Sequence, residues 1–306
     1  MKYIAAMGMA NCDILYGGMD HLPEEGTEVF SRSFDMQLGG GSPATLIALH
    51  RLGVPAYLAT FLGMDAFSAF LEQKIAESGI RYENLYHGDK MPITVTSVMI
   101  TQNDRTFASY QDDVPFTEEM KERVYEILAG AGIVKMHSDH LELYERLKRE
   151  HPEIMLVLDF GWDDIRPIEE LKPYFEIADY YTPNYKEALK ITGTGSAEEA
   201  IRVLAKYFKT PIVKLDKDGC MVLIDGQIRI IPPLPGVTAV DSTGAGDAFM
   251  AGFLYGLYHG YEIWDCIRFG NVMGGKCVEH VGCLSRAVSE AELMEWARLI
   301  EPVEPV

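Results

Sequence analysis

Past residue 118 the chain alternates between short apolar runs and longer stretches of helical period. The runs 133–136, 155–159, 180–182 and 211–215 are too short for helices and are predicted as buried strands. Helices fill the intervals, one of them opened by the capping-box sequence Ser196-Ala-Glu-Glu199. Alternation on this scale predicts an α/β fold, a mainly parallel sheet with helices on both faces. The first third reads differently. A short apolar run is predicted as a buried first strand ending near Met9, with Asn11 and Asp13 following at its carboxyl end. Residues 27–38 and 93–101 alternate apolar and polar, and 105–111 can pair with the latter across the turn 102–104. No intervening helix is long enough for a βαβ unit, so these segments, about 14–38 and 89–112, are predicted as a small separate β-sheet. Its second face must be covered by ligand, main body or another subunit. Residues 39–53 carry three glycines and then Pro43 at a predicted helix start, and Gly63-Met-Asp65 opens a helix to about Ser78. With no repeat and no linker, a single domain over 1–306 with an inserted sheet is the expected organisation.

Composition narrows the class. The formal charge of −19 argues against a nucleic-acid partner, which needs a surplus of Lys and Arg, and offers nothing to an anionic membrane. Solubility is the reading of that acidity. No apolar run has the length of a membrane span, and the first is too short for a secretory leader. Cys12, Cys220, Cys266, Cys277 and Cys283 contain no Cys-x-x-Cys pair, which predicts reduced thiols in a cytoplasmic protein. The methionines form no stripe and are expected as core filler.

The most constrained stretch is Asp241-Ser-Thr-Gly-Ala-Gly-Asp247, followed by a buried helix over 248–258. Gly244, Ala245 and Gly246 leave their amides open to close approach, at a helix N-terminus where free donors and the macrodipole favour an anion. Asp247 would repel that anion. Its place makes sense if it takes a proton from an attacking hydroxyl while the amides hold the phosphoryl group under attack. A capped glycine turn is the plainer reading, but it leaves most of the constrained positions unexplained.

Other stretches leave more open. Asp13 can accept hydrogen bonds from the vicinal hydroxyls of a polyol, or close an Asx-type turn. Asn184 and Glu187 face the same way at i, i+3 on a starting helix, which also suits a capping box. Lys214 can reach a phosphate or lie on the surface. His137-Ser-Asp-His140 offers two imidazoles and a carboxylate but lacks a third well-placed metal ligand, and reads as a strand-to-helix turn. The run 270–277 has Walker spacing, but Cys277 replaces the Ser or Thr and a helix precedes it, so a helix through Val278 is expected.

Taken together, the 241–249 stretch, Gly39-Gly-Gly, Gly63-Met-Asp65, Asn184-x-x-Glu187 and 213–220 resemble, in order, the motifs of the ribokinase-like (PfkB-type) carbohydrate kinases. The resemblance implies a three-layer α/β/α domain whose inserted β-sheet is a lid over the sugar and, in several members, a dimer surface. It implies an ATP-dependent kinase acting on a primary hydroxyl of a sugar or sugar derivative. Asp247 would be the general base, and the amides of Gly244, Ala245 and Gly246 would meet the transferring phosphoryl group. Asp13, Gly40, Gly41, Thr45 and Arg105 are the implied acceptor contacts. Asn184 and Glu187 would lie in the outer shell of magnesium, and Asp241 near a monovalent-cation (K+) site. Lys214, Asp216 and Gly219 fall on the nucleotide side, and Asn271 near adenine. Several positions depart from the pattern. Thr45 stands where the family has Asn, and Lys214 and Asp216 replace the Thr and first Gly of Thr-x-Gly. Gly161 and Asp163 replace the Asn and Arg of an Asp-x-Asn-x-Arg pattern that begins at Asp159, with Arg166 nearby. That change favours a ketose or fructosamine-like acceptor over a sugar acid. The alternatives are a nucleoside kinase, with Phe30, Phe34 and Phe107 as stacking aromatics, and a non-catalytic sugar or nucleotide sensor.

Overall fold

A computed structural model describes residues 2–160 and 168–301. The chain opens with β1 (Ile4–Met7), passes into β2 (Asn11–Met19), and returns as β3 (Ser33–Leu38). Then come α1 (Ser42–Arg51), β4 (Ala56–Thr60), α2 (Ala66–Glu77), β5 (Arg81–Asn84), β6 (Thr94–Thr101) and β7 (Arg105–Tyr110). The alternating part follows: α3 (Glu118–Ala129), β8 (Ile133–Met136), α4 (Leu141–Glu150), β9 (Met155–Leu158), α5 (Ile168–Ile177), β10 (Tyr180–Tyr181), α6 (Tyr185–Thr192) and α7 (Ala197–Leu204). It ends with β11 (Ile212–Lys214), β12 (Cys220–Ile224), β13 (Gln227–Ile231), α8 (Ala245–His259), α9 (Ile263–Cys277) and α10 (Glu290–Ala297).

Six strands form a parallel sheet in the order β10-β9-β8-β1-β4-β5. Every residue of β1, β4 and β8 is buried, as a parallel sheet covered on both faces demands. One apolar cluster, with Leu46, Leu58, Phe253 and Val272, packs on one face; another, with Val134, Leu156, Tyr174 and Phe175, packs on the other. A parallel bridge between Asn184 and Lys214 joins β11 to this sheet, and β12 and β13 continue it antiparallel. Helices α8 and α9 approach closely because Gly270 leaves room: a Cβ there would lie 2.7 Å from the Phe249 ring.

The side sheet has the order β3-β2-β6-β7. Its central pair, β2 and β6, is parallel, and the outer pairs are antiparallel. The expectation for Asn11 and Asp13 is corrected here. They belong to β2, Asp13 lying opposite Gln37 and Thr96, because the ladders to β3 and β6 on either side satisfy the backbone of this segment. The strand over 27–38 is also shorter than expected, since only Ser33–Leu38 pairs. The short strands β4, β5, β12 and β13 were not anticipated. The helix over 270–277 and the turn over 137–140 are as expected, with His140 left-handed (φ 58°) ahead of α4. Gly161, Asp163 and Arg166 lie outside the described residues.

Candidate active site

The carboxyl ends of the parallel strands, where open α/β sheets bind ligands, gather the polar residues of interest. Asp247 lies in the first turn of α8, after Gly244, whose φ of 75° places the turn in the left-handed region. Its two oxygens are held from α1: Gly41 N donates to Oδ2 at 2.9 Å, and Thr45 Oγ1 donates to Oδ1 at 3.1 Å. Gly40 has to be glycine for this to happen, because a Cβ there would lie 2.6 Å from Asp247 Oδ2. Gly41, the N-cap of α1, has φ 92°. Burial pushes the Asp247 carboxyl above the ordinary value. Asp159 adds to the rise, and Lys135, the Gly41 amide and the Thr45 hydroxyl oppose it. Thr45 is 0 % exposed, so its hydroxyl grips the carboxylate and is not presented to an acceptor.

Asp241 is saturated by donors. Gly282 N reaches Oδ2 at 2.9 Å, while Thr243 N (2.9 Å), Thr243 Oγ1 (2.8 Å) and the Arg105 guanidinium reach Oδ1. Burial would raise this carboxyl, but these four donors hold it below the ordinary value. Arg105 comes from β7 of the side sheet and spans the loop, donating also to Thr243 Oγ1 and, at 3.0 Å, to Ser242 Oγ. Asp241 thus shapes the turn and holds the Arg105 guanidinium, which ties β7 to it. Of the three expected amides, that of Ala245 is partly engaged by Ser242 O at 3.3 Å. Gly244 is fixed by packing, since a Cβ would collide with Cys283.

Two lysines face this end of the sheet. The Lys214 ammonium comes within 3.6 Å of where a Cβ of Gly246 would stand, which puts it over the N-terminus of α8. Lys135 was read only as part of an apolar strand. It is 2 % exposed, and its Nζ lies 3.0 Å from Asp159 Oδ2 and 3.5 Å from Ser42 Oγ. Against burial, Lys135 and Lys214 hold the Asp159 carboxyl down at about 2. A lysine inside an apolar strand was the signal to follow, since lysine is rarely buried without a partner.

Asn184 and Glu187 form a reciprocal capping box at the start of α6, Oδ1 accepting from Glu187 N at 2.9 Å and Oε2 from Asn184 N at 2.8 Å. Burial raises the Glu187 carboxyl, against the pull of Lys214. The box does not use Oε1, and a hard carboxylate oxygen with the Asn184 amide beside it fits a hydrated magnesium ion. Among the described residues no cluster of three or more His, Cys, Asp or Glu could hold a metal directly.

Asp13 points at the glycine turn, where a Cβ on Gly39 would lie 2.6 Å from its Oδ2. Among the described residues no donor is placed on this carboxylate, and burial, with Asp241 adding, pushes it up to about 6. Gly39 and Gly40 thus open one turn to both Asp13 and Asp247. Asp216 sits at φ 52° in the turn after β11, near enough to Glu187 to raise it slightly. Gly219 (φ 88°) is required by packing, because a Cβ would run into Ile231 O. Asn271 spends its side-chain amide on Ile231 O (3.1 Å) and Pro232 O (2.8 Å), anchoring that segment. All five cysteines are free and buried. No helix of the described residues is long and apolar enough to cross a membrane.

Comparison with known proteins places the chain in a family. Residues 1–290 match the model of the pfkB family carbohydrate kinases. A ribokinase of Arabidopsis thaliana is 27% identical over 299 residues, covering 92% of this chain and 77% of that protein. A fructoselysine 6-kinase of Escherichia coli (strain K12) is 26% identical over 253 residues, covering 80% of this chain and 90% of that protein. Among solved structures, Arabidopsis thaliana ribokinase complexed with ribose and ATP superposes with a TM-score of 0.85 at 22% identity, covering 97% of this chain and 99% of that one. The nucleoside kinase of Methanocaldococcus jannaschii gives 0.79 at 19% identity, over 97% and 98% of the two chains. The fold is therefore ribokinase-like. The chain belongs to the pfkB family of carbohydrate kinases and is a phosphotransferase with an alcohol group as acceptor.

Proposed function

We propose that this chain transfers the γ-phosphoryl group of ATP to a primary hydroxyl of a sugar or sugar derivative, with Asp247 as general base. The observation that carries the reading is Asp247 itself. It is a carboxylate of raised proton affinity, held on both oxygens in the first turn of α8 with Lys214 over the same helix end. The acceptor hydroxyl gives its proton to Asp247 as its oxygen bonds to the γ-phosphorus. The bond from that phosphorus to the β,γ-bridging oxygen breaks, and ADP leaves. Gly244, Ala245 and Gly246 at the helix start, with Lys214, stabilise the charge on the transferring group. Magnesium, when bound with Glu187 and Asn184 in its outer shell, supplies neutralising charge to the nucleotide phosphates.

Asp13, Gly40 and Gly41 line the acceptor side in this reading, beneath the side sheet acting as lid (about 14–38 and 89–112) of a single domain. A ketose or fructosamine-like acceptor is favoured over a sugar acid because the arginine of the Asp-x-Asn-x-Arg pattern is replaced by Asp163. Pairing of two copies through the lid and a cytoplasmic setting, in keeping with five free thiols, complete the proposal. One observation supports a nucleoside acceptor as the second reading. Phe107 shares a face of β7 with Arg105, 5.9 Å from its guanidinium, and stays 55 % exposed.

A coupled ADP-release assay with magnesium-ATP tests this across ketoses, aldoses, sugar acids, fructosamines and nucleosides, with Asp247→Asn as the blank. Acceptor-dependent release that falls by several orders of magnitude in the variant is the expected result. Release only with nucleosides moves the assignment to the second reading. Wild-type turnover in Asp247→Asn removes the general base. Binding of ATP or sugar without release from any acceptor makes the chain a sensor.

A further inference from the structure

Asp247 has a carboxylate neighbour it would be better without. Asp159, at the carboxyl end of β9, lies close enough to raise its proton affinity, and both are only partly open to water. Two carboxylates sharing such a floor do not both ionise unless a cation joins them. The molecule places one there. Lys135 rises from β8, between β1 and β9, and is almost wholly buried. Its ammonium bonds Asp159 on one side and reaches Ser42 on the other. Ser42 is the first residue of α1, next to the Gly41 whose amide donates to Asp247 Oδ2. A lysine at a helix N-terminus opposes the helix dipole, so its position there is a cost that stability alone does not explain.

We infer that Lys135 is a positioning residue for the base: its buried ammonium supplies the counter-charge that keeps Asp247 ionised beside Asp159 and, through Ser42, fixes the Gly41 amide against the Asp247 carboxylate. The inference rests on the reading of Asp247 as general base. The other titratable groups around Asp247 do not fill this role. Cys277 of α9 and Cys283 after it are thiols that burial keeps protonated, Cys277 pushed up to about 12 and Cys283 well above the ordinary value. Lys214 stands over Gly246, on the side where the phosphoryl group would enter. Asp13 lies across the glycine turn and carries the same sign as Asp247.

The test reads the Asp247 carboxyl directly, without substrate. In the full chain labelled with 13C at the aspartate carboxyls, the resonance lost in Asp247→Asn is followed against pH. Lys135→Met should move its midpoint up by one unit or more, and Lys135→Arg should bring it back to within about half a unit of wild type. Asp159→Asn, which removes the repelling carboxylate and keeps the cation, should move it down. A packing role alone would not give shifts of opposite sign. If Lys135→Met fails to fold because it strands Asp159, Asp159→Asn and Lys135→Arg still decide. An unmoved midpoint in Asp159→Asn, or a rise there, overturns the inference, as does an unmoved midpoint in a folded Lys135→Met. The acid limb of ADP release, measured with whichever acceptor the panel identifies, should follow the carbon titration. Midpoints that shift as expected while turnover survives Asp247→Asn would retain the electrostatic coupling and refute the base.

Discussion

Asp13→Asn is expected to make the protein more stable and a worse enzyme. The carboxylate is half-buried against the glycine turn with no donor placed on it among the described residues, and its folded-state value of about 6 stands above the 3.8 of an unperturbed aspartate. The sign follows from proton counting. Between those two values the folded chain holds a proton that the unfolded chain has released, so stability falls as pH rises through the interval and stays low above pH 6. A rise of two units corresponds to about 3 kcal/mol at pH 7. Water in the cleft screens part of this, so about 1–3 kcal/mol is expected. Asparagine keeps the shape and carries no charge. Urea titrations at pH 7 should therefore show the variant more stable by that amount, with the two curves converging near pH 4. Its acceptor kcat/KM should fall about 10–100-fold, the value of a hydrogen bond to a charged group. Equal stabilities at pH 7, or an advantage that persists unchanged at pH 4, would refute the burial argument. Unchanged acceptor kinetics would remove Asp13 from the acceptor site.

Thr45→Ala removes a donor from Asp247 and raises that carboxyl further. The acid limb of kcat/KM should move to higher pH by about one unit, and Thr45→Ser should restore it; an unmoved limb in the alanine variant would detach Thr45 from the base. Arg105→Lys cannot reproduce a fork that meets Asp241, Ser242 and Thr243 together. The KM for ATP should rise about tenfold while circular dichroism stays native, because Asp241 keeps its Gly282 and Thr243 donors; an unchanged KM would leave the guanidinium a surface contact.

The alternating part of the fold was legible because a parallel sheet covered on both faces needs short, mainly apolar strands, and 133–136, apart from Lys135, and 155–158 are such runs. The strand β2 was not, since Asn11 and Asp13 carry the residue types of a turn and only their pairing with β3 and β6 reveals them as strand. The same limit applies in the site. Asp241 and Asp247 stand out in the sequence by their spacing, but spacing says nothing about what grips them. The donors to Asp247 come from α1, 202 and 206 residues away in the chain, and the guanidinium on Asp241 from 136 residues away. Thr45 and Arg105 each bond a carboxylate that spacing alone does not bring near them. Lys135 was hidden by its own strand, because an apolar run absorbs a single lysine without losing its pattern.

The turn at Gly39 and Gly40 has a consequence for how a site of this kind can change. A side chain at either position would occupy the space of the Asp13 or Asp247 carboxylate, so substitution there damages the reaction before it can alter the choice of acceptor. At Thr45 a side chain that can donate to the Asp247 carboxylate is needed instead. The side sheet is under no such restriction, as the side chains of β7 are mostly exposed and bear on the core of the molecule chiefly through Arg105. Mutational drift toward a new acceptor has its room in the lid strands, while the floor beneath them stays as it is.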